Sequence, residues 1–327
     1  MTSLRSALKS ATALAAFSLS FPLASWAEEP LPVVATFSIL GDMVERIGGE
    51  HIALTTLVGP DGDTHVYQPT PKAARSVAEA DVLFLNGLEF EGWLERLAES
   101  ASFDGAMVVA TKGVVPIAFD DHDDHDDHDD HDEHDKHDDH DNHDDHAGHD
   151  HGAFDPHAWL SLENAVIYAN NIAAGLAQAD PENAGDYYTN RATFISEIET
   201  LSADIEAMMK SLPADKRTVV TPHDAFGYFA ATYDLTFVAP QGMSTESEVA
   251  AGDVAALIMQ IREDSISAVF IESITDNRMM EQIANETGAT IGGTLYSDAL
   301  SAQSGPASTY LDMMRHNATT LFDALGN

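Results

Sequence analysis

Residues 31–58 read LPVVATFSILGDMVERIGGEHIALTTLV. Leu31–Phe37 has the apolar, β-branched character of a buried strand, Ile39–Ile47 reads as a helix, and Ile52–Val58 is again strand-like. A strand, a helix and a strand in so short a span form a parallel β/α unit, because antiparallel neighbours would need only a turn between them. The alternation continues outward. Pro71–Ala80 reads as a helix, and Val82–Leu85 and Met107–Ala110 as short apolar strands.

Downstream, Leu162–Ala177 is helical, and Pro181 opens a long, nearly uninterrupted helical stretch that runs to about Leu212 and stops at Pro213. A second β/α series follows. Thr218–Val220, Thr236–Val238, Ala268–Ile271 and Thr290–Gly292 read as strands, and about Val249–Glu263, Asn277–Thr287 and Pro306–Ala324 as helices. The expected fold is α/β: two parallel-sheet β/α lobes, residues 28–180 and 213–327, joined by one long rigid helix over 181–212. No sequence repeat relates the lobes. Ligands of open α/β sheets bind beyond the carboxyl ends of the strands. With two lobes, those ends can face each other across a cleft.

The chain has 327 residues, 44% of them hydrophobic, enough for one large domain or two ordinary ones. Residues 1–27 read as an export signal. Arg5 and Lys9 precede an apolar stretch from Ala11 to Leu23, and the small residues Ser25 and Ala27 suit cleavage before Glu28. That stretch is short for a bilayer core of ~30 Å, and no later segment is apolar enough to span one. The expected location is outside the inner membrane, which in a diderm bacterium is the periplasm, with the mature chain a soluble monomer. There are no cysteines, so disulfides, thiol nucleophiles and thiolate metal sites are excluded.

The formal net charge is −40 with neutral histidines. Loss of residues 1–27 makes it −42, of which residues 120–151 supply −16, leaving about −26 on the rest of the mature chain. Nucleic acid and anionic membrane surfaces are poor partners for such a molecule, and cations are good ones.

Residues 120–151 read DDHDDHDDHDDHDEHDKHDDHDNHDDHAGHDH, with eleven histidines and seventeen acidic residues. The histidines are His122, His125, His128, His131, His134, His137, His140, His143, His146, His149 and His151. The run has no apolar face and cannot join a core, so it is expected to be disordered without metal. It must bind metal to some degree, through many weak sites whose ligands are ordered at an entropic cost.

Five histidines lie outside the run. His51, in the loop after Gly49 and Glu50, and His316, in the last helix, are expected to face solvent. His65 in GPDGDTHVYQP, His157 in FDPHAWLS and His223 in VVTPHDAFGYFA each lie in a polar or proline-containing loop beside a regular element. Asp298 in GGTLYSDALS occupies the same kind of position. Three imidazoles and one carboxylate would fill a zinc tetrahedron. A lone loop histidine is more often a surface or hydrogen-bonding residue than a ligand, and Asp298 could instead cap a turn. Asp63, Asp155 and Asp224 flank the histidines as helix caps or imidazole acceptors. Glu246, Glu248 and Glu272 carry no sequence signal that assigns them to the site.

With these segments the chain resembles the metal-binding solute receptors of bacterial zinc and manganese ABC importers, the cluster A-I or cluster 9 class, over essentially the whole mature chain. GPDGDTHVYQPTP, DPHAWLS, TPHDAFGYFA and TLYSDALS correspond to that family's four ligand loops. The resemblance implies two lobes bridged by a long helix, with Zn²⁺ held between them by His65, His157, His223 and Asp298 and delivered to an inner-membrane ABC permease. Manganese-preferring members usually have Glu in place of His223. The stretches QGMSTESEVAAGDVAALI and YLDMMRHN are most like zinc receptors that work with a separate periplasmic zinc chaperone. Zinc members often carry a His/Asp-rich loop between the first two ligand histidines, which makes residues 120–151 an accessory collector.

Three other readings compete. A manganese receptor of the same family would favour more oxygen donors. A periplasmic zinc buffer would act through the run alone. A zinc hydrolase would need an open coordination position and a general base, and a fourth ligand at Asp298 would close that position.

Overall fold

The computed structural model describes residues 29–118, 154–246 and 248–326. The expected leader, residues 1–27, and the acidic histidine run, 120–151, lie outside the described residues. The opening segment forms β1 (Leu31–Phe37), α1 (Ser38–Gly48) and β2 (Ile52–Val58), with β1 and β2 parallel and Leu31 opposite Ile52. Helix α2 (Pro71–Ala78), β3 (Val82–Leu85), α3 (Leu94–Ala101) and β4 (Ala106–Val109) complete a four-stranded parallel sheet of order β2-β1-β3-β4. The central strands β1 and β3 bury consecutive apolar residues, as strands covered on both faces do.

Helices α4 (Leu162–Ala179) and α5 (Ala184–Lys210) follow. The second lobe contains β5 (Thr218–Val220), α6 (Gly227–Tyr233), β6 (Thr236–Val238), α7 (Ala251–Glu263), β7 (Ala268–Glu272), α8 (Arg278–Thr287), β8 (Thr290–Leu295) and α9 (Tyr310–Leu325). Its parallel sheet has the order β6-β5-β7-β8, the same winding as the first. The halves thus repeat in topology without repeating in sequence.

The long helix α5 has 27 residues, about 40 Å at 1.5 Å per residue. It begins after Asn183, not at Pro181. Asp180 accepts from Asn183 Nδ2 at 2.8 Å and from the Tyr187 hydroxyl at 2.6 Å, which fixes the turn before the helix. Its buried stripe of Tyr187, Phe194, Ile198, Leu201, Ile205 and Met209 packs against α1 and α4 of the first lobe and against α6 and α9 of the second. One apolar core is therefore continuous across both lobes, and a smaller one lies among β5, α7, β7 and α8.

Two short helices, α3 and α6, were not expected. The aromatic and β-branched content of α6, GYFAATY, favours strand over helix locally. Strand β8 is longer than its apolar run, because a bulge between Val269 and Phe270 of β7 leaves Gly292 as an extra residue. The bulge carries β8 on to Leu295, three residues before Asp298.

The carboxyl ends of the two sheets close on each other through directed contacts. Leu300 N donates to Ser38 Oγ at 2.9 Å, and Asp61 N to Leu300 O at 2.8 Å. Trp159 Nε1 donates to Ser297 O at 2.8 Å, and the Tyr310 hydroxyl to Trp159 O at 2.7 Å. Among the described residues no helix is long and apolar enough to cross a membrane.

Candidate metal centre

His65 follows β2. Asp63 Oδ1 accepts from His65 N at 2.9 Å, and Trp93 Nε1 donates to the preceding carbonyl, Thr64 O, at 2.9 Å. The Phe90 ring lies edge-on to the imidazole, with centroids 4.9 Å apart. His157 is fixed by Asp155, whose Oδ1 accepts from His157 N at 2.9 Å and from its Nδ1 at 2.8 Å. Asn86, at the end of β3, donates to Pro156 O at 2.9 Å. Asn86 N in turn donates to the buried Glu91 at 2.7 Å.

His223 follows β5, and Glu272 ends the neighbouring strand β7. Glu272 Oε1 accepts from His223 N at 3.3 Å, and Oε2 lies 2.6 Å from His223 Nδ1. That second contact is close but outside hydrogen-bond alignment, so it acts mainly through charge. Ser297, beside Asp298, donates to the same Oε2 at 2.7 Å.

The structure brings His65, His157, His223 and Asp298 together, with one possible ligand atom from each inside a span of 4.8 Å. His65 Nε2 and His223 Nε2 each lie 3.3 Å from Asp298 Oδ2, and His157 Nε2 lies 3.5 Å from Oδ1. Ligand bonds of 2.0–2.2 Å around a tetrahedral ion place donor atoms roughly 3.3–3.6 Å apart, and the three imidazole–carboxylate spacings lie in that range. All three Nε2 atoms and both Asp298 oxygens are buried with no hydrogen-bond partner. Five such atoms at one point would be costly without a cation, because buried polar groups are almost always paired. The carboxylate on His157 Nδ1 fixes that nitrogen as the donor and turns the Nε2 lone pair to the centre.

The electrostatics agree. Burial alone would raise Asp298, yet the charges of His157 and His223 beside it hold its carboxyl well below the usual range. Burial alone would lower His223, but Glu272 and Asp298 outweigh it and hold the imidazole well above its ordinary value. The negative charge of Glu272 and Asp298 thus favours a cation at this point, whether a proton on the ring or a metal ion that displaces it.

Glu272 is the main contributor not assigned from sequence. Its place at the carboxyl end of β7 puts it where a parallel sheet presents its ligands, and the pairing of β5 with β7, which the sequence does not show, brings it to His223. Glu246 and Glu248 are exposed and stand apart from the cluster. His51 and His316 do not simply face solvent. His51 Nε2 meets Asp186 Oδ2 at 2.9 Å, and His316 Nε2 donates to Thr294 O at 2.9 Å beneath Tyr296. Both tie helices in place, and neither belongs to the cluster.

Comparison with known proteins matches residues 33–324 to the family described as ZnuA, zinc-uptake complex component A, periplasmic. The chain belongs to this family. The manganese-binding lipoprotein MntA of Halalkalibacterium halodurans is 30% identical over 298 residues, covering 91% of this chain and 89% of MntA. The iron-binding protein YfeA of Yersinia pestis is 31% identical over 294 residues, covering 90% and 86%. The periplasmic zinc-binding protein TroA of Treponema pallidum superposes with a TM-score of 0.78 at 25% identity, covering 91% of this chain and 99% of TroA. Other relatives are named as substrate-binding lipoproteins of metal ABC transporters. As a ZnuA-family member the chain is a periplasmic metal-binding receptor of an ABC metal transporter, not an enzyme.

Proposed function

We propose that the transported metal is zinc, held in the cleft by His65, His157, His223 and Asp298 and handed to the inner-membrane permease. The donor set carries this reading: three buried imidazole nitrogens and one carboxylate, all unpartnered, with one possible ligand atom from each inside a span of 4.8 Å. Nitrogen-rich sets suit zinc, whereas manganese favours oxygen. The chain is exported with its leader removed after about Ala27 and works as a monomer. Residues 120–151 act as an accessory zinc collector that receives the ion from a periplasmic chaperone.

The test is a zinc titration against a competing chelator on mature protein lacking residues 120–151. One tight site, insensitive to excess manganese, is the expected result. Absence of a tight site would place the binding in the run and make the protein a buffer. A manganese receptor is the second reading. Relatives such as MntA bear that metal's name, and both Asp298 oxygens are free to coordinate. Manganese retained against equimolar zinc would select it.

A further inference from the structure

Asp155 faces two ways. Its Oδ1 holds His157 through both the backbone N and Nδ1, at 2.9 and 2.8 Å. Its Oδ2 lies against the first residue of α6 in the opposite lobe, where a Cβ built on Gly227 would stand 2.5 Å from it. Its backbone carbonyl accepts from the Tyr228 hydroxyl at 3.0 Å, and that hydroxyl accepts from Ile117 N at 3.2 Å. Asp155 N donates back to Ile117 O at 2.9 Å, which closes the ring of contacts.

Gly227 has no positive φ, so its backbone does not require glycine. Alanine is intrinsically favoured over glycine in helices. What excludes a side chain is the Asp155 carboxylate. Because two donors pin Oδ1, the carboxylate cannot move from a Cβ without turning Oδ1 off His157.

We infer that Gly227 and Tyr228 are positioning residues for His157, acting through Asp155, so that the second lobe sets the orientation of a ligand carried by the first. Neither is among the four converging side chains. The inference rests on the cleft reading above, and it makes the closed contact between lobes part of the ligand geometry.

The test uses the full chain loaded with one equivalent of metal, and four variants: Gly227→Ala, Tyr228→Phe, Asp155→Asn and His157→Ala. Zinc release to excess chelator and the visible absorption of the cobalt-substituted protein are read for each. Outer partners of metal-bound histidines typically change affinity 10–100-fold. G227A is therefore expected to release zinc about tenfold faster or more, and Y228F several-fold faster. Both should shift the cobalt bands in the direction D155N does, and each should add little in the D155N background. A merely structural role would lower the metal-free melting temperature and leave the bands in place. Y228F keeps the ring and carries the test alone if G227A does not fold. Native release rates and bands in G227A and Y228F, with tight binding lost in H157A, would overturn the inference and leave the cleft site standing. Tight binding retained in H157A would remove the cleft reading and the inference with it.

Discussion

Glu272 Oε2 lies 2.6 Å from His223 Nδ1, and Oε1 of the same carboxylate accepts from His223 N. One fully buried acid thus holds both the ring and the backbone of a proposed ligand, and it also accepts from Ser297 beside Asp298. Two of the four converging residues therefore depend on it. Glu272→Gln keeps the size and an acceptor but removes the charge behind the imidazole. Zinc affinity in a chelator competition is expected to fall about 10–100-fold, with far-ultraviolet dichroism unchanged. An affinity within threefold of the parent would reduce Glu272 to a packing role.

Asp42 on α1 accepts from Tyr310 N, at the start of α9, at 2.9 Å. Burial raises its carboxyl from 3.8 to about 6, despite that hydrogen bond and nearby Arg46. The folded state then favours the proton. The contribution of the neutral acid is fully present below 3.8, is lost as pH rises to about 6, and stays lost above it. The loss is at most about 3 kcal/mol. Asp42→Asn retains an acceptor for Tyr310 and carries no charge at any pH. D42N should therefore gain stability over the parent as pH rises from about 4 to about 7, by several degrees in melting temperature. A difference that stays constant over that range would show that Asp42 does not carry the burden assigned to it.

Local patterns were legible wherever burial and chain direction dictate them. Val82–Leu85, Thr218–Val220 and Thr236–Val238 are strands where their apolar runs stand. The four converging side chains were found because each lies in a loop beside a regular element, where a parallel sheet presents its ligands. Contacts between distant residues left no local trace. Ser38 and Leu300 are 262 positions apart, and Asp42 and Tyr310 are 268 apart. Glu272 was visible as a residue but not in its role, because a carboxylate ending a strand looks the same whether it faces solvent or an imidazole. Helix α6 was missed because its aromatic residues are chosen for the core shared between lobes, which overrides their local preference.

Trp93 links the loop before α3 to His65, since its Nε1 donates to Thr64 O at 2.9 Å while its ring packs against Tyr67. Trp93→Phe keeps much of the apolar surface and removes the donor, leaving a buried carbonyl without this partner. Thr64 O keeps the Tyr67 N donor at 3.4 Å, so a stability loss of about 0.5–1.5 kcal/mol is expected, measured by denaturant titration of metal-free protein. Zinc release should also quicken, because the carbonyl that loses the indole donor immediately precedes a proposed ligand. Unchanged release at reduced stability would separate the anchoring of the loop from the aim of His65.

The extra residue of β8, Gly292, is followed by a second glycine that sets the path of the strand. Gly293 adopts φ +146°, and a Cβ there would stand 2.6 Å from Thr320 Cγ2 on α9. An alanine at this position meets backbone strain and α9 together, which costs on the order of 1–3 kcal/mol. Because β8 leads directly to Asp298, a shift that relieves the clash should move the carboxylate away from the three imidazoles. Gly293→Ala is expected to lower the melting temperature by several degrees and to weaken zinc binding at least tenfold. Thr320→Ser removes the methyl group nearest to the clash and should recover part of both losses in the double variant. Recovery of stability without recovery of zinc binding would mean that the φ of Gly293, not the space beside it, sets the path to Asp298.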